Sequence, residues 1–279
     1  TVLELDLRLT RDGIPVVCHD PRLSPKLAGR REGTDVPDPA TLPAIASLTL
    51  DQLHGYHVDR NPEPKRFPDQ QPKLSPLVEW WGNKVGMPAW GGPTLGVLFE
   101  FVQAYAGRPG EEFGRTPEQR RAGQVGFNIE LKRDPKKPEN IPDDFDGTKP
   151  GRFEAAVFDV MSSRRMLDRC IIQCFDWRVL PLFHALEPKL PLAALLDAAP
   201  PPDLEAQLAK AKATIYSPNH QRLTAELIRQ QQAAGRRVIP YTVNDVPRME
   251  QLLDWEVDGI ITDFPDRLLR LVQARHLDY

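Results

Sequence analysis

Residues 1–20 read TVLELDLRLTRDGIPVVCHD. From Val2 to Leu9 apolar and polar side chains alternate. Leu3, Leu5, Leu7 and Leu9 fall on one face and Val2, Glu4, Asp6 and Arg8 on the other, the period of an extended strand. Asp12-Gly13 predicts a two-residue hairpin loop, since a primed turn needs positive φ that Asp tolerates and Gly prefers. With that loop Asp6 lies opposite His19; a slip of one residue pairs it with Cys18 or Asp20 instead. Two carboxylates and an imidazole are then gathered in one place. The plainer reading is a half-buried strand with leucines inside and charges in water, followed by a histidine that only ends a turn.

A second strand of the same kind favours the first reading. Phe127-Asn128-Ile129-Glu130-Leu131-Lys132 again alternates, and loop residues Asp134, Pro135 and Pro138 follow it. Two such strands suggest a shared polar centre. In a barrel of parallel strands wrapped by helices the outward faces are apolar, and the inward faces near the C-terminal strand ends carry the chemistry.

The chain has 279 residues, 41% of them hydrophobic, ample for one large α/β domain or two small ones. A net charge of -3 favours neither nucleic acid nor an anionic membrane surface as partner. The three cysteines, Cys18, Cys170 and Cys174, are too few and too oddly spaced for a disulfide framework. No apolar run is long enough to span a bilayer. The chain opens in mid-strand without an initiator Met, so the compartment stays open, periplasmic or secreted and cytoplasmic alike, as does the oligomeric state.

A single domain over 1–279 is expected, with an irregular insertion at about 21–93. This insertion is rich in Pro, Gly and Trp. Trp80, Trp81 and Trp90 could wall a cleft there or fill a satellite core. From Thr94, which can cap a helix to about Ala106, helices and strands alternate. Strands are expected at Glu130, Gln173, Ala194, Ile215, Pro240 and Ile260, and Asp176 is expected to cap the helix after Phe175. With the first strand this gives seven parallel strands, where a closed barrel takes eight. The expected fold is therefore an α/β TIM (β/α)8-type barrel whose first strand and helix lie upstream of Thr1.

Five pieces now carry a resemblance. They are Glu4-Leu5-Asp6 with Thr10-Arg11-Asp12-Gly13 and Val17-Cys18-His19-Asp20; Asn128-Ile129-Glu130-Leu131-Lys132; Gln173-Cys174-Phe175-Asp176-Trp177; Tyr241-Thr242-Val243-Asn244; and Asp258-Gly259-Ile260-Ile261-Thr262-Asp263-Phe264-Pro265. In this order and spacing the chain resembles the glycerophosphodiester phosphodiesterases, TIM-barrel enzymes related to the phosphatidylinositol-specific phospholipases C. The resemblance implies a phosphoric diester hydrolase of lipid metabolism acting on a small-molecule glycerophosphodiester. It implies that Glu4, Asp6 and Glu130 bind a divalent cation, that His19 is one of two acid/base histidines, and that Lys132 helps to hold the phosphate. Cys174 stands where the family usually has Ser. The family's leading His-Arg-Gly strand, with the other histidine, is not in this sequence.

The residue types suit that chemistry. Three carboxylates without a His/Cys cluster favour a hard cation, Mg²⁺ or Ca²⁺, over zinc. Lys132 offers fixed positive charge where negative charge builds up, and His19 can move a proton near neutral pH. By analogy with the related phospholipases, a neighbouring substrate hydroxyl could attack and give a cyclic phosphate. Phe175, Trp177 and Tyr241, at or beyond strand ends, could contact the alcohol portion or simply pack the barrel. Two other functions stay open: a phosphodiesterase for a bulkier lysophospholipid or sphingolipid, and a non-catalytic barrel that binds a phosphate ligand.

Overall fold

The computed structural model describes residues 1–70, 73–116 and 122–277. Strand β1 (Val2–Leu9) forms where the alternation requires it, and Leu5, Leu7 and Leu9 are buried in the main core. Strand β2 (Pro15–Val17) pairs antiparallel to it, with Leu7 opposite Val17, Arg8 opposite Val16 and Leu9 opposite Pro15. This corrects the expected register by one residue. Thr10 joins the loop because its hydroxyl donates to Asp12 Oδ1 at 2.6 Å and accepts from the Ile14 N–H at 3.0 Å. Gly13, at φ 84°, supplies the left-handed residue. Asp6 therefore lies opposite Cys18, whose N–H donates to the Asp6 carbonyl at 2.9 Å.

The stretch after β2 has a small core of its own, built on Val16, Leu23, Ile45, Leu53 and Tyr56. It contains a two-stranded sheet of β3 (Gly29–Arg30) and β4 (Tyr56–His57), the short helix α1 (Leu50–Leu53) and helix α2 (Pro76–Val85). Thr49 and Gln52 close α1 with a reciprocal capping box. Trp80 and Trp81 on α2 pack with Phe113 and Phe101, ring centroids 5.7 and 6.5 Å apart.

Helices α3 (Leu95–Ala106, capped by Thr94) and α4 (Arg108–Glu112) then lead to β5 (Gly126–Leu131), which lies parallel beside β1. Four βα steps follow. They are α5 (Arg152–Ser163) into β6 (Cys170–Cys174), α6 (Leu180–Leu186) into β7 (Leu192–Leu196), α7 (Leu204–Lys210) into β8 (Ile215–Pro218), and α8 (Ala225–Ala233) into β9 (Arg237–Val238). Helices α9 (Val246–Asp254) and α10 (Pro265–Ala274) end the described chain. The sheet order is β2-β1-β5-β6-β7-β8-β9.

Two further expectations are corrected. The sheet has seven strands, but β2 is antiparallel, so the parallel ones among the described residues number six. The expected strand at Ile260 runs beside the β9 segment through Asp258 N–H to Val238 O (3.0 Å), Ile261 N–H to Pro240 O (2.9 Å) and Val243 N–H to Ile261 O (2.9 Å), without becoming regular. Pro240 has no N–H to give, which interrupts the ladder there. Asp176 does not cap α6; its carboxylate accepts from the backbone and guanidinium of Arg178 instead.

The polar face of the sheet is concave. Gln173 on β6 reaches Glu4 on β1, across the intervening β5, with 2.7 Å between Nε2 and Oε1. Tyr241, beyond β9, lies close enough for the Glu130 charge to help raise its hydroxyl pKa. A sheet that brings β9 towards β5 in this way is curling as barrel walls do.

Candidate active site

The in-register pairing of β1 and β5 sets Asp6 level with Glu130 and Glu4 level with Asn128, all on the concave face. One oxygen from each of Glu4, Asp6 and Glu130 can be chosen so that all lie within 4.8 Å of one another. Lys132 stands among them, with Nζ 2.8 Å from Glu130 Oε1 and 3.4 Å from Asp6 Oδ1. Behind them Asn128 Nδ2 donates to Gln173 Oε1 at 2.9 Å, and Gln173 in turn donates to Glu4. That chain fixes the Gln173 amide and the Glu4 carboxylate together.

Three carboxylates thus face one ammonium group. Burial, and then the charges of Asp6 and Glu130, push the Glu4 carboxyl up to about 8. Glu4 is the most open of the three, so water screens part of that repulsion. Burial also raises Glu130, against the pull of Lys132. For Lys132 burial works downward, but Glu130 and Asp6 outweigh it and hold the ammonium above its ordinary pKa. The cluster is short of positive charge, and its donors are all hard oxygens. Such a set fits a hard divalent cation and lacks the nitrogen or sulfur that zinc sites use.

Arg8 organises the rim. Its guanidinium is buried and donates to the His19 carbonyl from Nε (3.1 Å) and Nη2 (2.7 Å), and to the Lys132 carbonyl from Nη1 (3.0 Å). It therefore ties the end of the hairpin to the end of β5. Sequence reasoning assigned it no role, although it shares a face with Glu4 and Asp6. The His19 side chain is 69% exposed, and its Nδ1 lies 2.8 Å from Asp20 Oδ1. Its described side-chain hydrogen bond goes to Asp20, not to the three carboxylates.

The aromatic candidates divide. Phe175 is 37% exposed and meets Tyr241 edge to face, with centroids 5.9 Å apart. The buried Tyr241 hydroxyl has no hydrogen-bond partner among the described residues. Trp177 instead packs on the main core and donates Nε1–H to the Leu195 carbonyl at 2.8 Å. Phe175 and Tyr241 can meet a ligand at the mouth, whereas Trp177 holds β7.

Residues 1–267 match the model of the glycerophosphoryl diester phosphodiesterase family. A glycerophosphodiester phosphodiesterase of Bacillus subtilis (strain 168) is 37% identical over 272 residues, 95% of this chain and 74% of that protein. Among solved structures, a candidate glycerophosphoryl diester phosphodiesterase from Silicibacter pomeroyi DSS-3 superposes with a TM-score of 0.73 at 24% identity, covering 100% of this chain and 85% of the other. A phosphodiesterase of Oleispira antarctica, solved with the product sn-glycerol-3-phosphate, gives a TM-score of 0.66 at 19% identity over 98% of this chain and 85% of its own. These likenesses identify the fold as the TIM-type barrel of such enzymes.

Proposed function

Because the chain belongs to the glycerophosphoryl diester phosphodiesterase family, a family of phosphoric diester hydrolases, we propose that it hydrolyses glycerophosphodiesters to an alcohol and glycerol phosphate with the help of one divalent cation. The observation that carries this reading is the grouping of Glu4, Asp6 and Glu130 within 4.8 Å around Lys132. The named activity of the Bacillus relative and the product in the Oleispira structure support the substrate class.

Glu4, Asp6 and Glu130 would hold the cation, Mg²⁺ or Ca²⁺ by the oxygen-only donor set. When bound, that ion would neutralise and polarise the phosphate. Lys132 adds a fixed charge beside the same phosphate, already in place before the charge develops. With Nδ1 of His19 bonded to Asp20, Nε2 is left to give a proton to the alcohol oxygen as a water or a neighbouring substrate hydroxyl bonds to phosphorus and the bond between phosphorus and that alcohol breaks. Arg8 positions His19 through its backbone carbonyl, while Asp20 orients the imidazole. Phe175 and Tyr241 offer an aromatic wall to the leaving alcohol.

The test is choline release from glycerophosphocholine. It should require Mg²⁺ or Ca²⁺, stop on chelation and return on adding the ion back. His19→Ala should lower turnover by roughly 10² to 10⁴ with the fold unchanged. Full activity in excess chelator would overturn the metal reading, and an unimpaired His19→Ala variant would make His19 structural.

A further inference from the structure

Beyond the ends of β7, β8 and β9 the concave face carries a second group of side chains. Gln173 is level with Ala193, so alternation along β7 puts Leu195 and then Asp197 on the Gln173 side. Leu196 pairs with Pro218 and Asn219 bridges to Tyr241, which sets Asp197, Asn219 and Tyr241 level on three successive strands. The Asn219 amide is fixed in orientation. Its Oδ1 accepts from the Gln221 N–H at 2.9 Å, which leaves Nδ2 to donate to Asp197 Oδ1 at 2.8 Å. The rings of Phe175 and Tyr241 stand beside them at 89° to each other. Burial first, and then the charges of Asp197 and Glu130, raise the Tyr241 hydroxyl pKa. Tyr241 is therefore within reach of Asp197 on one side and of the carboxylate cluster on the other.

Asp197 is exposed, and among the described residues no cation pairs with it. Other acids beyond the strand ends are answered, Asp20 by His19 and Asp263 by Arg66. Asn219 occupies one Asp197 oxygen and leaves the second for a ligand. A free carboxylate next to an accessible pair of rings attracts an alkylammonium group, whose charge is drawn to the acid and to the ring faces while its methyl or methylene groups pack on the rings. We propose that Asp197, with Phe175 and Tyr241, forms a specificity-determining site that holds a cationic leaving alcohol and favours it over a neutral alcohol of the same shape. The inference rests on the proposed function, which puts the phosphate at the carboxylate cluster. Because Tyr241 feels both the cluster and Asp197, an ester lying along its ring presents phosphate to the one and ammonium to the other.

The experiment compares glycerol phosphate release from glycerophosphocholine and from its dimethylbutyl isostere, in which carbon replaces the ammonium nitrogen. The readout is the ratio of the two kcat/KM values, which does not depend on how much of a preparation is folded. The choline ester is also the more reactive of the two, so the change of that ratio on mutation decides. Asp197→Asn keeps the shape, still accepts from Asn219 and removes the charge; it should lower the ratio about two- to fivefold. Should that variant fail to fold, Phe175→Leu, at an exposed ring, should lower the ratio about twofold or more. A ratio equal to the parent's in the folded variant, while glycerophosphocholine is cleaved, would overturn the headgroup site and leave the proposed function standing. If neither diester is cleaved, the proposed function fails, and the site is judged by nuclear magnetic resonance titration with tetramethylammonium. Saturable binding that Asp197→Asn or Phe175→Leu weakens would support it, and no binding, or binding of equal strength in the variants, would overturn it.

Discussion

Lys132 and Arg133 are consecutive, yet they serve two clusters of opposite character at the end of β5. Arg133 turns to the apolar side. There Nε donates to Glu154 Oε1 at 2.9 Å, Nη1 to Asp143 Oδ1 at 3.0 Å and Nη2 to Asp143 Oδ2 at 2.8 Å, while its guanidinium lies 4.0 Å from the Phe145 ring centroid. The carboxylates also accept from the backbone N–H groups of Gly151, Phe145 and Phe153. All three charged side chains are 5% exposed or less. Lys132 turns to the concave side, where one ammonium faces three carboxylates and two of those have raised pKa values. One cluster is saturated with hydrogen bonds and closed to water. The other is short of positive charge and more open, as the proposed role in holding a cation and a phosphate requires.

If that contrast holds, Arg133→Met should cost about 3 to 5 kcal/mol of stability, since it leaves two buried carboxylates without their partner. Denaturant unfolding measures it, and a loss of less than about 1 kcal/mol would mean that the closed cluster does not hold the fold. Lys132→Met should behave the other way. Turnover should fall by about 10² to 10³, the usual loss when a group that stabilises developing charge is removed, with an unfolding midpoint close to the parent's. A variant that unfolds readily but turns over normally when folded would erase the distinction between the neighbours.

A smaller effect separates the clusters by pH. Burial works to raise the Asp143 carboxyl, but the hydrogen bonds from Arg133 overcome it and hold the pKa below the ordinary 3.8. A depressed carboxyl contributes stability that is fully present above that value and is lost as pH falls through the lower pKa of the folded state. The stability gap between the parent and Asp143→Asn should therefore be constant above about pH 5 and close in acid below the ordinary carboxylate pKa. A gap that persists unchanged into strong acid would show that Asp143 stabilises by shape alone.

The open cluster was legible in the sequence because strand parity is a local property. Glu4, Asp6, Glu130 and Lys132 share a face by counting, and the curl of the sheet adds only their proximity. The closed cluster was not legible, because Asp143 and Glu154 reach Arg133 from a Pro- and Asp-rich loop and from a helix, with no period linking them. The hairpin register failed for a smaller reason. The Thr10 hydroxyl satisfies both Asp12 and Ile14 and so enlarges the loop, and side-chain bonds of that kind are invisible to a two-residue turn signal. The strand at Ile260 was overcounted because the apolar run predicts burial, whereas a regular ladder needs the donor that Pro240 lacks.

The central claim is that Glu4, Asp6 and Glu130 together hold one divalent cation. Isothermal titration of the metal-free protein with Mg²⁺ and with Ca²⁺ tests it most directly. The account predicts a single site per chain for at least one of the ions, with release of protons near neutral pH because Glu4 is pushed up to about 8. It also predicts an affinity at least about tenfold weaker in Glu130→Gln, which keeps the shape and removes one charge. Binding of equal strength in parent and Glu130→Gln, or no binding of either ion to a folded parent, would contradict it.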